Sequence, residues 1–315
     1  MDVVVQADAV VKRWGGTTAL AGATFTMGRG VTGLVGANGA GKTTLLGLVL
    51  GMHRPDAGRI KVLGRDPWTG GADLRARLGY APEHDALPPD VSAHEIVRHV
   101  AEVHGLPRRA ATERASEALF EVGLGEERFR LVGTFSTGQR QRAKLAQAIA
   151  HDPRLVLLDE PTSGLDPVQR EEMLGLVRRV GHELGIDVIL SSHLLEEVER
   201  VCDAVVILDH GTTVASGGMA SLRGAVPELI VELDEPPDGA RTLVDALAAA
   251  GAASAAMDGG STVVVALEGD VVHDLVRDAL AATGLAVRSI QRATASLEDV
   301  YLRSSEAAPP RLPRP

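Results

Sequence analysis

The stretch Gly36-Ala37-Asn38-Gly39-Ala40-Gly41-Lys42-Thr43 matches the phosphate-loop pattern G-x-x-x-x-G-K-[ST]. An apolar run at 31–35 precedes it, and leucines and a valine at helical spacing follow at 45–50. A strand, a glycine-rich loop and a helix in this order direct backbone N–H groups and a positive helix end at one anion. The stretch therefore predicts a nucleotide site in an α/β fold. Lys42 would contact the β- and γ-phosphates of ATP and Thr43 would ligate Mg²⁺, and the rest of the predicted cradle is Gly36, Asn38, Gly39, Ala40, Gly41 and Thr44.

A second apolar run, at 155–158, ends in the acids Asp159 and Glu160. Asp159 is predicted to hold the magnesium shell, and Glu160 is predicted to polarise the attacking water. Strand ends often carry Asp or Glu as simple caps, so the pair alone would not indicate catalysis. The phosphate-loop pattern earlier in the chain is what favours the catalytic interpretation.

Residues 1–222 alternate short β-rich runs with helical patterns, which is typical of an α/β layer fold. A mostly helical insert is predicted at about 85–150. One of its helices has a clear start, a capping box from Ser92 to Glu95, and a clear stop at Gly105.

Residues 226–303 have a different pattern, which predicts a second, small α+β domain. Its order of strand, helix, strand, strand, helix, strand suggests a ferredoxin-like fold, and we find no catalytic constellation in it. The predicted strands are 228–233, 253–257, 262–267 and 286–292, and the predicted helices are 240–250 and 271–283. Residues 304–315 are rich in Pro and Arg and are expected to be disordered.

Composition narrows the possible partners. The 315 residues carry a net charge of -10, so the surface as a whole repels nucleic acid phosphates and no nucleic acid partner is expected. The single cysteine, Cys202, excludes an internal disulfide, and its helical pattern predicts a core position. The sequence shows neither a secretory signal pattern nor an apolar run long enough to span a bilayer. If a membrane is involved, another chain must provide it.

Three further motifs identify a family. Phe135-Ser136-Thr137-Gly138-Gln139 opens a predicted helix, Ser163-Gly164-Leu165-Asp166 follows the acidic pair, and Ser191-Ser192-His193 ends a predicted strand. Taken with the phosphate-loop pattern and the acidic pair, the order of these three motifs makes residues 3–220 resemble the ATP-binding subunits of ABC transporters. In that family the first motif is usually L-S-G-G-Q, so Ser136, Gly138 and Gln139 carry over while Thr137 replaces a glycine. The resemblance implies that this signature loop contacts the γ-phosphate held by a partner chain, and that His193 is the switch histidine.

Besides Thr137, two residues depart from the family pattern. Trp14 stands where the family has an aromatic residue, usually Tyr, that stacks on adenine. Glu83, in Gly79-Tyr80-Ala81-Pro82-Glu83, replaces the common Gln; it can still ligate magnesium through oxygen but adds a charge. Together with S-T-G-Q and the ending at 296–302, Glu83 makes the chain similar to ATPases of drug-resistance and daunorubicin-type exporters.

The resemblance implies an ATPase that works as a homodimer with a separate membrane permease, on the cytoplasmic side of the cell membrane. A soluble ABC protein acting on ribosomes or DNA is the first alternative. Such proteins usually carry two cassettes or a long coiled coil, and this sequence has one phosphate loop and no such coil. A regulatory ATPase without a transport role stays open. The cargo is not readable, because no residue of this chain is expected to touch it.

Overall fold

The structure is a computed structural model that describes residues 2–84, 87–222, 225–234, 237–252, 255–257, 260–266, 272–294 and 297–298. The chain divides into two compact units, with the boundary between Ser221 and Leu222. The predicted tail at 304–315 lies outside the described residues, as does most of the ending at 296–302.

The first unit alternates strands and helices. Its strands are β1 (Val5–Trp14), β2 (Thr17–Met27), β3 (Val31–Val35), β4 (Ala57–Val62), β5 (Leu78–Ala81), β6 (Leu155–Asp159), β7 (Asp187–Ser192), β8 (Ala204–Asp209) and β9 (Thr212–Gly218). Its helices are α1 (Lys42–Val49), α2 (Gly71–Arg75), α3 (Ala93–Val103), α4 (Arg108–Glu121), α5 (Thr137–Ile149), α6 (Pro167–His182) and α7 (Leu195–Val201). Two short 3₁₀ helices, Glu126–Phe129 and Val132–Thr134, precede α5, and α8 (Met219–Leu222) spans the unit boundary.

A six-stranded sheet forms the centre of this unit, in the order β5-β6-β7-β3-β8-β9. All neighbours are parallel except β9, which runs antiparallel to β8. A separate antiparallel sheet has the order β2-β1-β4. Because the carboxyl ends of parallel strands meet at one edge, the register brings three segments together there: Val35 pairs with Ser192, and Asp159 pairs with Ser191. The α/β prediction is confirmed.

Apolar runs explain why the central strands form. Every residue of β3, β6 and β7 is buried, as expected for parallel strands covered on both faces. Each fully buried leucine of these strands, such as Leu157, contributes about 1.5–3 kcal/mol to stability. The predicted capping box at Ser92 and Glu95 is confirmed. Cys202 is also buried, as predicted, and burial raises the pKa of its thiol.

The second unit has the strand and helix order that the sequence predicts. Its elements are β10 (Ala225–Leu233), α9 (Pro237–Ala249), β11 (Ala255–Met257), β12 (Thr262–Ala266), α10 (Val272–Thr283) and β13 (Val287–Thr294). The strands form an antiparallel sheet in the order β11-β12-β10-β13, which is the ferredoxin-like arrangement. Among the described residues of both units, no helix is long and apolar enough to cross a membrane.

A buried histidine, His151, stacks on the half-buried His104 within the first unit. His151 is 8% exposed, and its Nε2 donates to the carbonyl oxygen of Leu78 at 3.0 Å. Its ring stacks on that of His104, with 3.7 Å between centroids. Burial, followed by the nearby charge of His104, lowers the pKa of His151 to about 4. The folded protein therefore holds His151 neutral at pH values where an unfolded chain would protonate it.

This pKa predicts a pH dependence of stability. The unfolded chain binds a proton near the usual histidine pKa and the folded chain only near pH 4, so the free energy of unfolding should fall as the pH drops between those values. The slope from this group is at most about 1.4 kcal/mol per pH unit. Denaturant unfolding at pH 7, 6 and 5 measures it. His151→Gln, which can still donate to Leu78, should flatten the slope, and His99→Gln at an exposed position of α3 should not. Equal slopes in the two variants would contradict the assignment.

Candidate functional site

The phosphate loop links β3 to α1 and depends on its glycines. Gly41 has φ +106°, and a Cβ added there would lie 2.5 Å from the carbonyl oxygen of Ala19. A Cβ at Gly36 would collide with the carbonyl of Leu208. The loop can therefore follow this path only with glycine at both positions. Ala40, between them, is buried beneath the loop.

The loop opens on a cleft of about 420 Å³. Nine of the residues predicted for the site line it, and Thr17, Thr18, Ala19 and Ala37 complete its wall. The nine are Asn38, Gly39, Gly41, Lys42, Thr43, Thr44, Glu83, Asp159 and Glu160. The structure thus brings the phosphate loop, the acidic pair and Glu83 together at the carboxyl edge of the sheet.

Glu160 lies between two predicted site residues. Its Oε1 is 3.2 Å from Lys42 Nζ, in an ion pair whose angle falls outside hydrogen-bond geometry. Its Oε2 is 2.8 Å from His193 Nδ1. Lys42 also donates to the carbonyl oxygen of Gly36 at 2.6 Å. Lys42 and Glu160 are 7% and 6% exposed, so their charges interact more strongly than they would in water.

The backbone of Glu160 is unusual, and no pattern in the sequence predicts it. Its φ is +48°, in the left-handed region that costs a residue with a Cβ on the order of 1–3 kcal/mol. Ser191 supports this conformation: the Glu160 N–H donates to Ser191 Oγ at 3.0 Å, and that hydroxyl donates to Asp159 Oδ1 at 2.6 Å. One serine on the neighbouring strand therefore holds both acids.

The oxygen atoms at the cleft fit a magnesium ion. Thr43 Oγ1 donates to Asp159 Oδ2 at 3.1 Å, and Glu83 lines the same cleft. Mg²⁺ bound with a nucleotide typically takes one or two carboxylates and completes its shell with phosphates and waters. Negative charge also affects Tyr80 near the cleft. Burial is the main reason that the pKa of Tyr80 is raised to about 12, and the charges of Asp159 and Glu83 raise it further. A cation at the cleft would offset that charge.

Trp14 lies at the end of β1, beside the phosphate loop. Its Nε1 donates to Thr44 Oγ1 at 3.4 Å, and Lys12 Nζ lies 4.8 Å from its ring centroid. His53 meets the ring edge-on at 4.8 Å. The residue is still 45% exposed, so much of the indole is available to a ligand.

The signature loop forms the start of α5. Ser136 is the N-cap, with a capping box in which Gln139 N donates to Ser136 Oγ and Ser136 N donates to Gln139 Oε1. The Gln139 amide also donates to Glu127 at 3.1 Å. None of the described residues Ser136, Gly138 and Gln139 lines the cleft at the phosphate loop.

Two contacts around this loop were not foreseen. Gly138 faces its own chain, because a Cβ there would lie 3.0 Å from Gln169 Oε1. A side chain added at Gly138 would therefore first meet Gln169. Lys144, further along α5, donates to the carbonyl oxygens of Pro82 and Glu83 at 3.1 and 2.6 Å. Lys144 thus ties the segment carrying Glu83 to the signature helix.

Comparisons with known proteins show the family to which this chain belongs. Residues 20–163 match a family model described as ABC transporter. A daunorubicin resistance ATP-binding protein of Streptomyces coeruleorubidus is 33% identical over 96% of this chain and 92% of its own. A linearmycin resistance ATP-binding protein of Bacillus subtilis is 36% identical over 70% of each chain. The solved structure of cbiO1 from Clostridium perfringens, described as part of the ABC transporter complex cbiONQ, has a TM-score of 0.64 at 29% identity and covers 70% of this chain and 91% of its own. Because the similarity includes both the phosphate loop and nearly the whole length of a relative, this chain belongs to the ABC transporter family and is an ATPase.

Proposed function

We propose that this ABC ATPase is the motor subunit of an exporter for drugs, lipids or other hydrophobic compounds. It would act as a homodimer bound to a separate integral-membrane permease, at the cytoplasmic side of the cell membrane, with Mg²⁺ and ATP. The observation that supports export best is the length of the match to the daunorubicin resistance protein. That match spans 96% of this chain and so includes residues of the second unit, beyond the nucleotide-binding part.

The buried carboxylate of Glu160 is the group we assign to water activation. A carboxylate that accepts a proton from the attacking water must be ionised and fixed in place. The contacts with Lys42 and His193 restrain both carboxylate oxygens of Glu160. Lys42 would also contact the terminal phosphates of ATP, and His193 would hold the carboxylate toward them.

Magnesium would be held by Thr43, Asp159 and Glu83. When bound, the ion neutralises charge on the phosphates and polarises the phosphoryl oxygens. Glu83 contributes a negative charge where the family usually has a neutral glutamine, which should favour a divalent cation at this position.

We further infer that each ATP is enclosed by two chains. The capping box leaves the hydroxyl proton of Ser136 to donate to another acceptor, because Ser136 Oγ accepts from Gln139 N. The start of α5 also carries the positive end of a helix. Since the signature residues do not line the cleft of their own chain, a second copy would bring Ser136, Gly138 and Gln139 to the γ-phosphate.

Trp14 is assigned to adenine stacking, and its removal should weaken ATP binding. Stacking of a base on an aromatic side chain is worth about 1–3 kcal/mol, so Trp14→Ala should raise the ATP dissociation constant roughly 5- to 150-fold. Trp14→Tyr should restore most of the affinity. Trp68→Ala, which removes another half-exposed indole, is the matched control. Calorimetric titration with ATP measures the effect, and equal affinities for Trp14→Ala and Trp68→Ala would remove Trp14 from the site.

Co-expression with integral-membrane permeases from the same genome tests the proposed function. We expect the chain to sediment with membranes only when its partner permease is present, and its ATP turnover to change on reconstitution. Glu160→Gln should attach to the membrane equally well but hydrolyse little ATP. A chain that remains in the supernatant, with a turnover that the permease does not alter, would contradict the motor role.

A further inference from the structure

Glu197, in the first turn of α7, is a buried carboxylate outside the cleft described above. It is 4% exposed. Its Oε2 accepts hydrogen bonds from Ser192 Oγ at 2.7 Å and Thr162 Oγ1 at 2.9 Å. Its Oε1 lies 3.3 Å from Arg170 Nε, an ion pair whose angle is outside hydrogen-bond geometry. Burial of a carboxylate is costly unless it is paired. The contacts with Ser192, Thr162 and Arg170 offset that cost for Glu197.

The hydroxyl of Ser192 connects Glu197 to His193. Ser192 directly precedes His193, and its Oγ also accepts from the Leu194 N–H at 3.0 Å. The backbone on both sides of His193 is therefore tied to one hydroxyl, which Glu197 holds in turn. This arrangement restricts where the His193 ring can lie.

The hydroxyl of Thr162 connects the same carboxylate to Glu160. Thr162 is 4% exposed and lies in the turn after β6, where the Ser163 N–H donates to the Glu160 carbonyl oxygen at 3.0 Å. A single oxygen of Glu197 thus links the segment that follows Glu160 to the segment that carries His193. Those two side chains meet at 2.8 Å.

Arg170 extends the connection to α6. This helix begins after the Ser163–Asp166 loop, and Asp166 caps it by accepting from Gln169 N at 2.8 Å. Glu197 therefore joins the turn after Glu160, the end of β7 and the first turns of α6.

We propose that Glu197 is a positioning residue for ATP hydrolysis, which holds Glu160 and His193 in contact through the hydroxyls of Thr162 and Ser192. It does not line the cleft, so it acts through these residues and not on the nucleotide. The proposal rests on the role proposed for Glu160, which the Glu160→Gln variant tests separately: a normal rate in that variant would remove the role of Glu160 itself.

Steady-state ATPase kinetics of purified variants test the proposal. Misplacement of a reacting group by about 1 Å can cost on the order of 10² in rate, so Glu197→Ala should lower kcat about 10- to 100-fold and change KM by less than about 3-fold. Glu197→Gln keeps an oxygen that both hydroxyls can reach and should retain kcat within about 5-fold. Two variants on α7 are controls: Glu196→Ala removes an exposed carboxylate, and Val198→Ala removes buried packing. Both should keep kcat per folded molecule.

A double mutant separates positioning from simple stability. If Glu197 acts through His193, adding Glu197→Ala to His193→Ala should lower kcat little further, because the two changes remove one interaction. If Glu197→Ala does not fold, Thr162→Val and Ser192→Ala remove its bonds one at a time, and each should lower kcat. The proposal would be overturned if the losses of kcat in Glu197→Ala and His193→Ala multiply in the double mutant. It would also be overturned if Val198→Ala loses as much kcat as Glu197→Ala at the same folded fraction. Unchanged kcat in both hydroxyl variants would also overturn it.

Discussion

Glu160→Gln should bind MgATP as the parent protein does and hydrolyse it about 10² to 10⁴ times more slowly. The amide keeps the shape of the side chain but cannot accept a proton from water, and loss of a general base typically costs that factor. The carboxylate is 6% exposed and restrained by Lys42 and His193, so bulk water is poorly placed to substitute for it. Phosphate release under steady-state conditions measures the rate.

The matched control is Glu196→Gln, which makes the same chemical change at an exposed position three residues beyond His193. It should leave turnover unchanged. Calorimetry should give similar ATP affinities for both variants and the parent. If Glu160→Gln turns over ATP at near the parent rate, another group activates the water.

Lys42→Ala should lose ATP turnover and bind ATP at least 10-fold more weakly. Hydrogen bonds to charged groups are worth about 1.5–3 kcal/mol, and alanine cannot replace the ammonium. The change also removes a partner from the carbonyl of Gly36 and a countercharge from Glu160, both of which are buried. We therefore expect lower thermal stability as well, with the fold retained.

Lys61→Ala, at an exposed position of β4, removes one positive charge away from the cleft and is the control. It should keep both affinity and turnover. Circular dichroism checks that Lys42→Ala is folded before its binding is measured. Parent-like ATP affinity together with preserved turnover in Lys42→Ala would exclude Lys42 from phosphate binding.

The parts of the site that lie close together in the sequence could be predicted from it. The residues from Gly36 to Thr43 form the loop and the start of α1, and the acids Asp159 and Glu160 follow a continuous apolar run. Their chemistry follows from local order, because a strand, a glycine loop and a helix start fix the direction of the backbone N–H groups. The α/β fold could be predicted for the same reason.

The supporting contacts could not be predicted, because they join segments that are distant in the sequence. Ser191 reaches Asp159 only because β6 and β7 pair in a particular register. Lys144 bonds to carbonyls about 60 residues earlier, and Glu197 bonds to Thr162 across 35 residues. Nothing in the local pattern distinguishes these residues from ordinary polar residues of strands, turns and helix surfaces. The proximity of Gly138 to Gln169 could not be predicted either, because it depends on how α5 packs against α6.

Native mass spectrometry of Glu160→Gln with MgATP shows directly whether two chains enclose the nucleotide, because one spectrum reports both the nucleotide and the number of chains. Slow hydrolysis should preserve ATP in the cleft, and the signature loop of a second copy should close over it. We predict a species of two chains with two ATP molecules that is absent when Lys42→Ala is added. Single chains that retain ATP at saturating nucleotide, with no two-chain species, would contradict it.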